Sequence, residues 1–190
     1  VTAGGQEKMF KAVYGDNGLA NLSLRGAETF TYQQYGYSEG GWEDRHNWVS
    51  NATVGNVSTY MPTQIDTVVI SGNQTVRHDS VDDTIANLQI AAGSQLNQRG
   101  GTLTVRNSTS NNGTISVNRM SGSNNSIAAL VLNGTTSGNG TLNIGSTDFI
   151  NGETVLLNGT VTLANAAQSN MTAELVAGNL TLGGDVRLSN

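Results

Sequence analysis

The sequence contains no cysteine, and it has little charge, little proline and few histidines. The lack of cysteine among its 190 residues excludes disulfide scaffolds and cysteine-based zinc sites. Charged residues make up 12% of the chain, against about 25% in an ordinary soluble domain. The polar surface must therefore come from asparagine, threonine, serine and glycine, a composition that favours strands and turns over helices.

Two further absences limit the function and the location. The net charge is −5, so the chain lacks the excess of basic residues that nucleic-acid-binding proteins use against phosphate. No run approaches the roughly 18 consecutive apolar residues of a membrane-spanning helix. The chain begins at Val1 without a signal peptide, which is typical of a mature or excised segment. We expect a secreted protein that neither binds nucleic acid nor spans a membrane.

The aromatic residues divide the chain into two regions. All of them except Phe149 lie within residues 1–60, and from about residue 84 the chain is nearly free of charge as well. We place a boundary near residues 61–66. The interpretation is an aromatic-rich cap or appendage at residues 1–60, followed by a repeat region at residues 61–190.

The repeat region alternates small polar with branched apolar residues after each turn residue. Alternation with a period of two predicts strands. Glycine and asparagine between the copies predict turns, because both residues reach positive φ at low cost. The copies lie at residues 67–70, 87–90, 101–105, 113–117, 129–132, 140–144, 159–163, 179–182 and 185–188.

These copies predict an all-β fold, a right-handed parallel β-helix or β-solenoid. Two or three strands would form a coil of roughly 20–25 residues, within the period range of solenoids. The alternative is an antiparallel sandwich, since Asn-Gly between strands is a strong hairpin signal. The solenoid is favoured because the copies are alike, the interior is aliphatic, and threonine and asparagine stack well in register.

Several short motifs follow one another in order along residues 41–96. A tryptophan-rich entry at residues 41–48, then Met-Pro at 61–62 and Asp-Thr-Val-Val-Ile at 66–70, leads to Leu-x-Ile and Gly-x-x-Leu within residues 88–96. This arrangement resembles the passenger regions of autotransporter-like and related giant bacterial surface proteins, over about residues 41–190. The resemblance implies a pectin-lyase-like parallel β-helix, export to the cell surface, and a role in adhesion or in a surface layer.

The sequence offers little material for nucleophilic catalysis. His46 and His78 are its two histidines, and it contains no Gly-x-Ser-x-Gly motif. A Ser-His-Asp set assembled from His78, Asp79 and Ser80 is disfavoured, because adjacent residues on a strand point to opposite faces. We expect polar residues at a turn there.

Paired carboxylates are the other catalytic candidates. A glycosidase needs two carboxyl groups about 5–9.5 Å apart on either side of a sugar. Glu43 with Asp44, and Asp82 with Asp83, are the pairs that could supply them. Neither pair is distinctive, so we expect no enzyme. A polysaccharide-degrading β-helix enzyme of the tailspike or lyase kind is the alternative.

A calcium site is a weak further candidate. Asp79, Asp82 and Asp83 lie within five residues of one another, and Ca²⁺ binds carboxylate and carbonyl oxygens. No EF-hand loop or other calcium repeat accompanies them, and a solvated turn is the favoured interpretation. We therefore expect no cofactor, with calcium as the one candidate ion.

The aromatic residues near the N-terminus have two interpretations. Exposed rings could stack on sugars, which would make this segment a carbohydrate-binding module. Alternatively, large rings could cover the open end of a stacked sheet, since each buries about 150–250 Å². The second interpretation is favoured. The candidate residues are Tyr32, Tyr35, Tyr37, Trp42 and Trp48.

The strand pattern continues to residues 185–188, close to the last residue of the sequence. We therefore expect either a longer passenger region or head-to-tail stacking of copies, because contacts that do not close give filaments. The functional prediction is an extracellular structural or adhesive surface protein without enzymatic activity. Its expected partners are further copies of itself, surface glycans or neighbouring cells.

Overall fold

The fold is seen in a computed structural model, which describes residues 1–3, 5–14, 20–35, 40–52, 60–79, 81–117, 128–144 and 154–161. Within these ranges the chain forms strands and turns, together with a 3-10 helix at Arg45–Asn47. No helix in the same ranges is long and apolar enough to cross a bilayer.

Fifteen strands lie in the described residues, in two large sheets and two small antiparallel pairs. The antiparallel pairs are β1 (Thr2–Ala3) with β2 (Gln6–Glu7), and β3 (Met9–Tyr14) with β4 (Ala20–Arg25). The remaining strands are β5 (Thr29–Tyr32), β6 (Trp48–Ser50), β7 (Thr67–Ile70), β8 (Thr75–His78), β9 (Asp83–Ile90), β10 (Gln95–Gln98), β11 (Thr102–Asn111), β12 (Thr114–Val117), β13 (Ala129–Ser137), β14 (Thr141–Ile144) and β15 (Thr154–Val161).

From β7 onward, consecutive strands alternate between the two large sheets. The seven-stranded sheet has the order β15-β13-β11-β9-β7-β5-β6, and the four-stranded sheet has the order β14-β12-β10-β8. Neighbours within each sheet run parallel, except that β6 runs antiparallel to β5 at one edge. Strands that are neighbours in one sheet are therefore separated along the chain by a strand of the other.

The prediction of a right-handed parallel β-helix with an aromatic-rich N-terminal cap is wrong. The sheets mix parallel and antiparallel pairs, they contain seven and four strands, and they do not form a closed solenoid. β5 and β6, from the predicted cap, pair into the seven-stranded sheet beside β7, so that sheet continues past residues 61–66. The error has a physical reason: alternation shows which face of a strand is buried, and this is common to every sheet with one covered face.

The predicted positions of individual strands agree with the structure better than the predicted assembly of those strands does. The copies at residues 67–70, 87–90 and 129–132 lie in β7, β9 and β13. The copies at 101–105, 113–117 and 140–144 lie in β11, β12 and β14 from their second residue onward. Part of the copy at 159–163 lies in β15, while those at 179–182 and 185–188 lie outside the described residues.

Buried side chains form rows that run from strand to strand. In the four-stranded sheet, Val76, Leu96, Ile115 and Leu142 occupy equivalent positions in the register and are all buried. They belong to one hydrophobic cluster with the inward side chains of the seven-stranded sheet. This cluster contributes most of the stability of the fold, because burial of each aliphatic side chain contributes about 1.5–3 kcal/mol.

The Asn-Gly pairs at residues 133–134 and 158–159 do not form the predicted turns. They lie inside β13 and β15, where they are parallel partners of each other. In β11 the equivalent positions are Arg106 and Asn107, and the register with β9 shifts by one residue there. The extra residue forms a β-bulge, which bends the strand and turns side chains out of the ladder. The glycine-containing segments at 99–101, 111–113 and 138–140 do separate strands, as predicted.

Gly134, which stacks on the bulge of β11, and Gly72 allow a matched pair of glycine substitutions. Gly134 and Gly72 both have positive φ, +74° and +70°. A Cβ on Gly134 would lie 1.9 Å from the carbonyl oxygen of Asn107, whereas one on Gly72 would meet nothing within 4 Å. We expect Gly72→Ala to lower the free energy of unfolding by about 1–2 kcal/mol, from left-handed strain alone. Gly134→Ala should lower it by about 1–3 kcal/mol more, from the collision.

Urea denaturation followed by circular dichroism measures both glycine variants under the same conditions. Equal losses in Gly134→Ala and Gly72→Ala would contradict the close stacking of β13 on β11 at the bulge.

Candidate functional site

Three of the five predicted ligand-binding aromatic residues are buried. Tyr32, Trp42 and Trp48 are at most 1% exposed, and the Trp48 ring meets the other two edge to face at centroid distances of 5.2 and 4.9 Å. The Trp48 indole N–H donates to the Trp42 carbonyl oxygen at 2.8 Å. Burial also raises the pKa of Tyr32 to about 12. Their ring faces are covered, so they fill the core beside β5 and β6 and are not open for stacking on a sugar.

The remaining two predicted aromatic ligands differ from these. Tyr35 is 65% exposed, and its backbone N–H donates to the Asn47 side chain at 3.1 Å. Tyr37 lies outside the described residues. Among the four candidate aromatic residues that the structure describes, Tyr35 is the one exposed ring, which is less than the stacking platform that the sequence suggested.

The three aspartates of the calcium candidate each have a different partner. Asp79 pairs with Arg99 at 3.5 Å, and Asp82 accepts a hydrogen bond from the Thr102 backbone N–H at 2.7 Å. Asp83 lies 3.1 Å from Nε2 of His78. No three histidine or acidic side chains among the described residues are grouped so that they could hold a metal ion. The calcium site stays a prediction without support from the geometry.

His78 is fully buried and is held between two acceptors. Its Nε2 faces Asp83 at 3.1 Å and its Nδ1 faces the Gly100 carbonyl oxygen at 3.3 Å. Its ring and the ring of Trp42 meet edge to face at a centroid distance of 5.3 Å. Asp79, the aspartate of the Ser-His-Asp candidate, pairs instead with Arg99, and Ser80 lies outside the described residues. His78 is thus an interior polar residue that fixes the ends of β8 and β9.

The carboxylates of the predicted acidic pairs support local structure. Glu43 accepts a hydrogen bond from the Asp79 backbone N–H at 2.8 Å. Asp44 begins the 3-10 helix by accepting from the His46 backbone N–H, and this bond lowers the pKa of Asp44. Asp82 and Asp83 are bonded as described above, so each of the four carboxylates has a partner within the fold, and the enzyme alternative stays a prediction.

A groove of about 450 Å³ opens beside the β-bulge. Five segments line it: strand β2, the connection between β4 and β5, the turn before β7, strand β9, and the bulge of β11. The bulge directs Arg106 and Asn107 outward, and both are exposed. The lining residues are Gln6, Glu7, Ala27, Gln64, Ile65, Ala86, Arg106 and Asn107. We refer to this feature as the bulge groove.

Three polar side chains converge in the bulge groove. Nη1 of Arg106 donates to Glu7 at 2.8 Å and to the Gln64 carbonyl oxygen at 3.2 Å. The Gln64 side-chain amide donates to the other oxygen of Glu7. The hydrogen bond from Arg106 lowers the pKa of Glu7, so its carboxylate is ionised at neutral pH. The groove therefore carries one negative side chain, Glu7, and one positive side chain, Arg106, and has no net charge.

A buried ion pair fixes the two loops that line the bulge groove. Arg25 donates to both oxygens of Asp66, at 2.6 and 2.5 Å. Asp66 also accepts from the backbone N–H groups of Glu28 and Thr63, at 2.9 and 2.8 Å. Burial lowers the pKa of Arg25, but the bonds and charges of Asp66 and Glu28 outweigh it and raise that pKa. Residues 25–28 and 63–66 are thereby locked together.

Glu28 extends this network toward β6. Its carboxylate accepts a short hydrogen bond from Ser50 and another from the Tyr60 hydroxyl at 2.7 Å. Burial, followed by the bond to Glu28, raises the pKa of Tyr60 to about 12. The Tyr60 ring in turn lies 4.8 Å from the guanidinium carbon of Arg25. The loops behind the groove are therefore held by charge, hydrogen bonds and ring contacts at once.

A second surface feature lies on the outer side of the seven-stranded sheet. On five parallel strands the outward positions align, and nine of the ten residues are polar but uncharged. Within one row, Asn87 donates to Thr67 at 3.1 Å and accepts from Ser108 at 2.8 Å. We call this surface the polar face; its residues are Thr29, Thr31, Thr67, Val69, Asn87, Gln89, Ser108, Ser110, Thr135 and Ser137.

No family model, no curated protein and no solved structure matches this chain. The bulge groove and the polar face are the surface features of this chain that bear on its function.

Proposed function

We propose that this chain is an extracellular structural or adhesive protein of a bacterial surface, without enzymatic activity, and that it adheres to surface polysaccharides through the polar face. The observation that carries the proposal is the alignment of ten outward positions without a single charge among them. The resemblance of residues 41–190 to surface-protein passenger regions supports the location.

The geometry of the polar face suits a long polymer better than a small molecule. Neighbouring strands lie about 4.8 Å apart, so five strands present hydroxyl and amide groups at regular intervals over about 19 Å. Sugar hydroxyls both donate and accept hydrogen bonds, as do the side chains of Asn87, Gln89 and Ser108. The hydrogen bonds within the row of Thr67, Asn87 and Ser108 hold these side chains in place before a ligand arrives, which reduces the entropy lost on binding.

Sedimentation with insoluble polysaccharides tests this proposal. We expect the protein to sediment with at least one of cellulose, chitin, mannan or peptidoglycan, and to remain bound in 1 M NaCl. Salt should have little effect because the polar face has no charges to screen. Ser108→Lys should weaken adhesion about tenfold, equivalent to about 1.4 kcal/mol, since a solvated cation interrupts the row.

Thr75→Lys is the matched control, because Thr75 is exposed on the four-stranded sheet, away from the polar face. Adhesion that is equally strong in both lysine variants would place the contact elsewhere. Steady release of soluble sugar from the polymer would overturn the non-enzymatic part of the proposal. Head-to-tail assembly of copies stays a prediction, and electron microscopy of the purified protein tests it.

A further inference from the structure

The bulge groove has the dimensions and construction of a binding site. Its volume of about 450 Å³ lies within the range of about 300–1,000 Å³ for small-molecule sites. A β-bulge in β11 supplies two of its side chains, and bulges occur preferentially next to functional sites, where they redirect side chains. The equivalent positions in β13 are Asn133 and Gly134, so the guanidinium of Arg106 has no counterpart on the next strand.

The polar groups of the groove limit the kinds of ligand that it can bind. The Glu7 carboxylate accepts hydrogen bonds, the Arg106 guanidinium donates them, and the amides of Gln64 and Asn107 do both. Because Glu7 and Arg106 neutralise each other, the groove offers no net charge to attract an anion or a cation. Both side chains are partly exposed, by 36% and 42%, so a ligand can reach them from solvent.

The floor of the groove adds a small apolar surface. Ala27, Ile65 and Ala86 lie among the polar side chains and contribute methyl and methylene groups. A pyranose ring matches this mixture, since its edge carries hydroxyl groups and its face carries C–H groups. A wholly apolar ligand would leave the carboxylate and the guanidinium desolvated without partners, which is costly.

We propose that the bulge groove binds a neutral saccharide, whose hydroxyls donate to Glu7 and accept from Arg106 and Gln64 while one ring face packs on Ala27, Ile65 and Ala86. This inference deepens the proposed adhesive function and rests on it for the class of ligand. The polar face holds the polymer along its length, and the groove selects the sugar unit.

The buried network behind the groove supports this role. Arg25 and Asp66 fix the segments on either side of Ala27 and Ile65, so the floor is rigid before binding. The Arg106 bond to the Gln64 carbonyl then ties the bulge to the same turn. Pre-organised groups of this kind lose little entropy when a ligand binds.

Titration of the isotope-labelled protein with neutral oligosaccharides, followed by NMR, tests the inference. The panel comprises cello-, chito-, manno- and galacto-oligosaccharides, with oligogalacturonate as an anionic competitor and free glycine as a zwitterionic one. We expect one neutral member to shift the side-chain amide signals of Gln64 and Asn107. Arg106→Met and Glu7→Gln should each weaken its binding about 10- to 100-fold, because each removes a charge-assisted hydrogen bond.

Arg45→Met is the matched control for Arg106→Met, since Arg45 is exposed and does not line the groove. Its oligosaccharide affinity should equal that of the unmodified protein, and all three variants should melt within a few degrees of it. Unchanged affinity in Arg106→Met and Glu7→Gln would overturn the inference. Preferential binding of oligogalacturonate or glycine would overturn the assignment of a neutral ligand.

The two proposals fail in distinguishable ways. If no oligosaccharide binds but the protein still sediments with polysaccharide, the inference about the groove is wrong and the adhesive function stands. If an oligosaccharide binds in the groove but the protein adheres to no polymer, the adhesive function is wrong. Thr75→Lys should leave oligosaccharide binding unchanged, because Thr75 lies in the four-stranded sheet and does not line the groove.

Discussion

Replacement of Asp66 by alanine is expected to lower the free energy of unfolding by about 3–5 kcal/mol. The Asp66 side chain is fully buried and accepts hydrogen bonds from Arg25, Glu28 and Thr63. Its loss leaves the Arg25 guanidinium buried without its principal counter-charge, and the desolvation of an unpaired ion is the dominant cost. Urea denaturation followed by circular dichroism gives the difference directly.

The double variant Arg25→Met, Asp66→Leu is the control that separates an unpaired charge from lost packing. Removal of both charges should cost less than removal of Asp66 alone, since the Arg25 ion is removed with its partner and the buried Glu28 carboxylate keeps its hydrogen bonds from Ser50 and Tyr60. The exposed pair in the groove gives a second comparison, because Glu7→Gln should change stability by no more than about 1 kcal/mol. A loss under about 1 kcal/mol in Asp66→Ala would contradict the central role of this network.

Substitution of Trp48 by alanine is the second large effect, with an expected loss of about 3–5 kcal/mol. The indole is fully buried, packs against Tyr32 and Trp42, and donates its N–H to a backbone carbonyl. Its removal leaves a large cavity and an unpaired carbonyl oxygen at the β6 edge of the seven-stranded sheet. Thermal denaturation measures the loss, and tryptophan fluorescence reports the altered surroundings of Trp42.

Tyr35→Ala is the matched control for Trp48→Ala, since Tyr35 is 65% exposed. It should change stability by no more than about 0.5 kcal/mol. The opposite pattern, a stable Trp48→Ala protein with weakened glycan binding, would restore the interpretation of these rings as a carbohydrate platform.

The sequence was sufficient to place individual strands. In β12, for example, Ile115 and Val117 alternate with small polar residues, and both are buried. Alternation succeeds because a strand with one covered face has no other way to bury its branched residues.

The alternation of apolar and polar residues did not predict how the strands assemble. Asn133 and Gly134 have the signature of a hairpin turn, yet they continue β13, because the backbone of β11 bulges at the equivalent position. The N-terminal strands pair antiparallel, and the registers of β5 and β6 depend on contacts between residues far apart in sequence. Local propensity carries no information about such pairing.

The candidate site was missed for a related reason. Glu7, Gln64 and Arg106 lie up to 99 residues apart, and none belongs to a recognisable motif. One signal was present: Arg106 occupies a position at which the later strands carry asparagine, as in Asn133 and Asn158. The buried network gave no signal of its own, because Arg25, Glu28 and Asp66 have no characteristic spacing.

The unbroken register between β11, β13 and β15 determines how this chain can vary in length. A residue added between strands leaves every row in place, because the connection absorbs it. A residue deleted within β13 would turn Leu130 and Leu132 from the interior to the surface and would bring polar neighbours inside. Insertions and deletions among natural variants should therefore occur mainly in the connections between strands. The lengths of β11, β13 and β15 should stay constant.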